Sequence, residues 1–159
     1  MVSVAIASAI GKVLVLMGLG SAAVWDLSKR TVPNTLVLMV GGGGLLRLAA
    51  AERYAAVVSI AAAGILFVLL RLLANFGMLG GGDAKLIAVV TLGQPPASIL
   101  PMLLSIALAG GILAIVYLIR DWVGNRDGGH RTAMPFWHAE MPYVPAILAG
   151  LVWHQLWAS

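Results

Sequence analysis

The sequence predicts an all-α, polytopic membrane protein that forms a bundle of about six transmembrane helices. Its 159 residues are 61% apolar and only 10% charged, whereas soluble domains are about 45–50% apolar and about 25% charged. The mean hydropathy is +1.00. Because one spanning helix needs about 20 apolar residues, six helices nearly fill the chain. We therefore predict a single transmembrane domain over residues 1–159, with no room for a separate soluble domain.

The first predicted span covers Val2–Trp25 and is followed by a charged cluster that contains Asp26, Lys29 and Arg30. A cleaved signal peptide is the alternative, but signal peptides carry their positive charge before a short apolar core rather than after it. The cluster therefore indicates the cytoplasmic end of a membrane span. Lys12, a charge within this span, is interpreted as a residue that snorkels or that marks a shifted helix start.

The second and third predicted spans cover Asn34–Ala51 and Ala55–Ala74, and they return the chain to the cytoplasmic side. Four consecutive glycines, Gly41–Gly44, lie in the middle of the second span. They favour close helix packing, with a local break in the helix as the alternative. Arg47 and Arg71 lie towards the ends of these spans, and we interpret both as interfacial anchors.

The remaining spans are predicted at Gly82–Gln94, Ala97–Ile119 and Pro142–Trp157, with a polar segment before the last one. The fourth is only about 20 Å long at 1.5 Å per residue, against a hydrocarbon core of about 30 Å, so we expect Asp83 to lie below the membrane surface. This arrangement brings seven of the ten basic residues to one side, which the positive-inside rule identifies as cytoplasmic: Lys29, Arg30, Arg71, Lys85, Arg120, Arg126 and Arg131. The net charge of +4 thus reflects topology, and we predict a lipid bilayer and no nucleic acid as the partner.

Two acidic residues, Asp26 and Asp83, stand at predicted membrane boundaries on the same side, because two crossings separate them. Two carboxylates that share one site do not both ionise easily, so one holds a proton while the other is charged. Such a pair can activate water and protonate a peptide carbonyl without a metal. The alternative is structural: Asp26 caps its helix or pairs with Arg30 one turn later, and Asp83 caps the fourth helix. Independently of these roles, Pro33 is predicted to break the helix and Asn34 to cap the second.

Both aspartates lie in extended motifs. The first motif is D-x-x-x-R-x-V-P-N and the second is G-x-G-D-x-K. In these motifs the chain resembles the type IV prepilin peptidases, which are G-x-G-D aspartic membrane peptidases; G-x-G-D alone would also suit presenilin-like proteases. The resemblance implies that Asp26 and Asp83 are catalytic. It also implies supporting roles for the other motif residues, namely Arg30, Pro33, Asn34, Gly80, Gly82 and Lys85.

Within that family the sequence is similar to the short members associated with Flp or Tad pilus assembly, because it begins almost at the first helix and has no cysteine. Longer members carry an N-terminal region with paired cysteines that is linked to methylation. The closing MPYVPAILAG also resembles the proline-rich entry to the family's last helix. The resemblance implies a prepilin or pseudopilin substrate, cut at the cytoplasmic face of the bacterial inner membrane between a basic leader and an apolar helix.

Two other functions stand as alternatives. One is a small ion or proton carrier or channel that uses the charges at the membrane edge, although the span interiors lack the acidic residues that a relay needs. The other is a non-catalytic membrane subunit of pilus assembly. His130, His138 and Glu140 match no tight metal-ligand spacing, so we predict neither a metal nor another cofactor.

Overall fold

The computed structural model describes residues 2–77, 79–124 and 142–157, and within these ranges the chain is built from helices without strands. The six helices are α1 (Val2–Lys29), α2 (Asn34–Ala49), α3 (Arg53–Asn75), α4 (Gly81–Thr91), α5 (Pro96–Gly124) and α6 (Val144–Trp157). Helices α1, α3 and α5 are long and apolar enough to cross a membrane, and α2 and α6 are shorter apolar helices. The prediction of an all-α membrane bundle is confirmed.

Helix α1 packs against α2 and α6. Helix α4 packs between α2 and α3, and α5 packs mainly against α6. The shared core is apolar, and its most deeply buried side chains include Val15, Leu19, Val40, Leu86, Val90, Met102, Val144, Ile147 and Leu151. Large apolar side chains also cover the outside, especially on α1, α3 and α5. Such a surface suits hydrocarbon, because lipid tails are as apolar as these side chains.

Helix α2 is continuous through its glycines. A Cβ atom on Gly43 would lie 2.7 Å from the carbonyl oxygen of Gly11 on α1, and a Cβ on Gly44 would lie 2.8 Å from Cβ of Leu92. The absence of side chains at these positions lets α2 approach both neighbours closely. The packing interpretation of the glycine run is therefore confirmed, and the helix has no break there.

The interpretation of Arg47 as an interfacial anchor is wrong, because its side chain is only 7% exposed. Its Nη2 donates to Oε1 of Gln94 at 3.0 Å. Nearby, Ser59 Oγ donates to the carbonyl of Thr91 at 2.9 Å and accepts from the amide of Gly93 at 2.8 Å. The turn that follows α4 folds over Arg47 and buries it. These contacts tie α2, α3 and α4 together at the end of the bundle opposite Asp26.

Two predicted boundaries need correction. The residue that caps α2 is Pro33, in an extended conformation, and its carbonyl accepts from Leu36 at 3.0 Å. Asn34 is the first helical residue instead, because proline holds an extended backbone well at the entry to a helix. Helix α5 runs to Gly124 rather than ending at Ile119, since residues 120–123 contain neither proline nor glycine.

Candidate active site

Asp26 lies in the last turn of α1 and is only 5% exposed. Its Oδ2 accepts a hydrogen bond from the backbone N–H of Val144 at the start of α6, at 3.2 Å. The positive charge of Arg30 also acts on this carboxyl group. Asp26 is thus a buried acid that is held by a backbone donor from a distant part of the chain.

Arg30 follows the last residue of α1 and adopts a left-handed backbone conformation with φ of 51°. Its N–H donates to the carbonyl of Asp26 at 2.8 Å. This conformation is uncommon for a residue with a side chain, and here it ends α1 and turns the chain towards Pro33. Arg30 therefore lies just beyond the helix with its side chain exposed, rather than inside the helix one turn after Asp26.

Asp83 lies in the first turn of α4, after Gly80 as the N-cap residue. The alternative reading of Asp83 as that cap is therefore wrong. A carboxyl group in the first turn is favoured by the helix dipole and by the free N–H groups of that turn. A Cβ on Gly80 would lie 2.6 Å from Oδ2 of Asp83, so the glycine leaves space for the carboxyl group.

The two aspartates approach each other across the bundle. The charge of Asp26 acts on Asp83, and the charge of Asp83 in turn acts on the hydroxyl of Tyr143. Among the described residues, no hydrogen-bond donor reaches the carboxyl group of Asp83. Asp26 from α1, Asp83 from α4 and Tyr143 from the segment before α6 thus lie close enough to interact electrostatically.

The two motifs are also in direct contact. Nζ of Lys85 donates to Oδ1 of Asn34 at 3.2 Å. A Cβ on Gly82 would lie 3.1 Å from Cβ of Val32, so this glycine lets α4 pack against the segment that joins α1 and α2. The residues that flank the two aspartates therefore hold the two segments together.

Three groups at this site were not among the candidate site residues that the sequence predicted. Val144 contributes only its backbone N–H, Tyr143 lies beside Asp83, and Gly110 of α5 receives the ring of Tyr143. The resemblance of MPYVPAILAG to the entry of the last helix was the signal that could have found the first two. Gly110 lies in an apolar run without any recognisable motif.

The polar residues His130, His138 and Glu140 lie outside the described residues. Within the part of the chain that the structure describes, no group of three histidine or acidic side chains is placed to hold a metal ion. The chemistry available at the described site is that of a carboxyl pair. One member can accept a proton while the other donates one.

One comparison with known proteins identifies a family. The family model described as the type IV leader peptidase family matches residues 13–118, which is about two-thirds of the chain. The matched range contains Asp26, Asp83 and all of α2, α3 and α4. No curated protein and no solved structure matches the chain significantly.

Proposed function

Because the chain belongs to the type IV leader peptidase family, and is therefore a membrane peptidase, we propose that it is an intramembrane aspartic endopeptidase. Its substrates are type IV prepilins or pseudopilins of the Flp type. It removes their basic leader peptide at the cytoplasmic face of the bacterial inner membrane. The whole chain, residues 1–159, acts as one transmembrane peptidase domain.

The observation that carries this proposal is the pairing of Asp26 with Asp83. They come from two separate helices, yet the charge of one acts on the other. The flanking residues Lys85 and Asn34 are hydrogen-bonded. A structural role for each aspartate alone gives no reason for two costly carboxyl groups to lie within electrostatic reach of each other.

The proposed reaction uses the two carboxyl groups in different protonation states. The ionised one takes a proton from water, whose oxygen attacks the carbonyl carbon of the scissile peptide bond. The protonated one donates its proton to the carbonyl oxygen. As the tetrahedral intermediate collapses, the C–N bond breaks and the new amine takes up the proton. The pair is then restored for a second cycle.

The substrate is proposed to dock by its apolar helix, laterally among the spans, while its basic leader remains in the cytoplasm. The outward faces of α3 and α5 are rich in exposed apolar side chains, so a helix in the bilayer can approach without desolvating polar groups. The scissile bond then lies at the junction between that helix and the leader, where Asp26 and Asp83 are found.

The test is leader cleavage in membranes, with an Flp-type prepilin as the probe and with proteins at matched expression. We expect Asp26→Asn and Asp83→Asn each to lower cleavage by at least about 1,000-fold, because the amide neither accepts nor donates the required proton. The matched control is Glu52→Gln, which neutralises an exposed acid at the N-cap of α3 and should cleave normally.

Normal cleavage by either aspartate variant would contradict the mechanism. If the doubly substituted protein still supports pilus assembly in cells, the chain is a non-catalytic subunit instead. Proteoliposomes of the wild-type protein provide the remaining comparison, since a carrier or channel would give ion flux that depends on the membrane potential.

A further inference from the structure

The segment Pro142–Val144, which we call the α6 entry, connects the last helix to the candidate site through its backbone. The amide of Val144 donates to Oδ2 of Asp26 at 3.2 Å. Val144 is completely buried and Asp26 nearly so. Burial disfavours the charged form of this acid, and the hydrogen bond from Val144 opposes that effect by stabilising the carboxylate.

The N–H of Val144 is available because Val144 is the first residue of α6. The N–H groups of a first helical turn have no partner inside the helix, and the partial positive charge at that end attracts an anion. The carbonyl of Tyr143 accepts from Ala146 at 3.0 Å and from Ile147 at 3.2 Å. These bonds fix where the helix begins and therefore where the N–H of Val144 points.

The α6 entry packs closely against α5. A Cβ on Gly110 would lie 2.6 Å from both Cε2 and Cζ of the Tyr143 ring, so the ring occupies the space that a side chain would fill. Gly150 of α6 similarly lies against the backbone of Ile106. The position of the Val144 donor therefore depends on a close contact between α5 and the α6 entry.

The groups that stabilise a negative charge act on Asp26 rather than on Asp83. Arg30 lies just beyond the end of α1, the helix that carries Asp26. Asp83 interacts with Asp26 from α4, and Tyr143 of the α6 entry interacts with Asp83. On α2, the side-chain oxygen of Asn34 accepts a hydrogen bond from Lys85. A backbone donor and a cation thus act on Asp26. Asp83 experiences the negative charge of Asp26 and receives no donor from the described residues.

Resting on the proposed peptidase function, we propose that the α6 entry is a positioning element that keeps Asp26 as the ionised, water-activating carboxylate and leaves the proton on Asp83. In this assignment water gives its proton to Asp26 as its oxygen bonds to the carbonyl carbon. Asp83 protonates the carbonyl oxygen. When the C–N bond breaks, Asp26 passes its proton to the amine nitrogen and Asp83 recovers a proton from the hydroxyl of the intermediate.

The direct test removes the donor and little else. Val144→Pro deletes the N–H at a helix position where proline is well tolerated, whereas Val144→Ala keeps the N–H and trims the same side chain. We expect Val144→Pro to lower kcat for prepilin cleavage at least about tenfold, with KM within about twofold of wild type. The low-pH limb of its kcat profile should move to higher pH, because Asp26 loses a donor that favours its charge. The low-pH limb of Val144→Ala should stay in place.

A second pair of variants tests the contact between the α6 entry and α5. Gly110→Ala places a methyl group into the Tyr143 ring, whereas a Cβ on the neighbouring Gly111 meets nothing within 4 Å. We expect Gly110→Ala to reproduce the kcat loss and the shift of Val144→Pro, while Gly111→Ala behaves as wild type. If Val144→Pro fails to insert into membranes, the comparison of Gly110→Ala with Gly111→Ala tests the positioning role instead.

The results separate this inference from the function on which it rests. If the wild-type protein does not cleave, or if Asp26→Asn or Asp83→Asn cleaves normally, the proposed peptidase mechanism fails. If cleavage depends on both aspartates but Val144→Pro has the same pH profile as Val144→Ala, only the positioning role fails. Movement of the high-pH limb instead of the low-pH limb overturns the assignment of the two acids.

Discussion

A single missing methyl group shapes the surroundings of Asp83. Gly80 stands three residues before Asp83, and a Cβ there would lie 2.6 Å from the carboxyl oxygen Oδ2. That distance is too short for unbonded atoms, so any side chain at position 80 forces the carboxyl group to rotate away. The glycine of the second motif therefore leaves room for the observed orientation of the aspartate carboxyl group.

We expect Gly80→Ala to lower prepilin cleavage about tenfold to about 100-fold, because displacing a reacting group by about 1 Å can cost that much. The matched control is Gly20→Ala on α1, where a Cβ meets nothing within 4 Å. Both proteins should be inserted and folded to the same extent, which thermal unfolding in detergent would check. Equal cleavage by the two variants would show that Asp83 tolerates the methyl group.

At this scale, the sequence predicted the residues that carry a pattern. Asp26 and Asp83 stand out because charges at membrane boundaries are costly, and the even number of crossings placed them on one side. The Val144 donor could not be predicted in this way. It belongs to a backbone amide 118 residues away from Asp26, and a backbone N–H looks the same at every position except proline.

At the scale of the helices, α1 and α2 form the tightest contact through glycines that face each other. A Cβ on Gly43 would lie 2.7 Å from the carbonyl oxygen of Gly11, and a Cβ on Gly42 would meet nothing within 4 Å. Two neighbouring glycines of the same helix therefore have opposite roles. One determines the distance between two helices, and the other faces open space.

This difference gives a paired prediction on stability. Gly43→Ala should destabilise the protein by about 1–3 kcal/mol, because a backbone carbonyl cannot yield unless the two helices separate. Gly42→Ala should stabilise it by up to about 1 kcal/mol through the better helix propensity of alanine. Unfolding in detergent micelles measures both variants against wild type. A shift of both proteins in the same direction would argue against the α1–α2 contact.

The helices themselves were predictable within a few residues, because apolar runs bounded by glycine, proline and charge define them. The burial of Arg47 was not. A basic residue near the end of a span usually reaches the interface, and only the turn after α4, with Gln94 and the amide of Gly93, turns this one inward. Burial of that kind depends on how a loop folds over a distant helix, which local composition does not encode.

At the scale of the whole molecule, charge is distributed unequally between the two ends of the bundle. Asp26 and Asp83 share their end with basic residues of four helices or their flanking segments: Lys29, Arg30, Arg71, Lys85 and Arg120. The far end of α3 begins at Glu52 and Arg53. Because the positive-inside rule assigns the basic end to the cytoplasm, we expect the proposed active site to face the compartment in which a prepilin leader is found.

The two ends of α3 provide a direct test of this orientation. Glu52 and Asn75 are both exposed, and α3 has 23 residues, which separates its ends by about 35 Å at 1.5 Å per residue. The chain contains no cysteine, so Glu52→Cys and Asn75→Cys each introduce a single thiol. In intact cells whose outer membrane is permeable to the reagent, a maleimide that cannot cross the inner membrane should label Glu52→Cys. It should label Asn75→Cys only after the inner membrane is permeabilised. The reverse labelling pattern would place Asp26 and Asp83 on the periplasmic side. There they could not meet a leader peptide that stays in the cytoplasm. That result would contradict the proposed cleavage even if both aspartates proved essential.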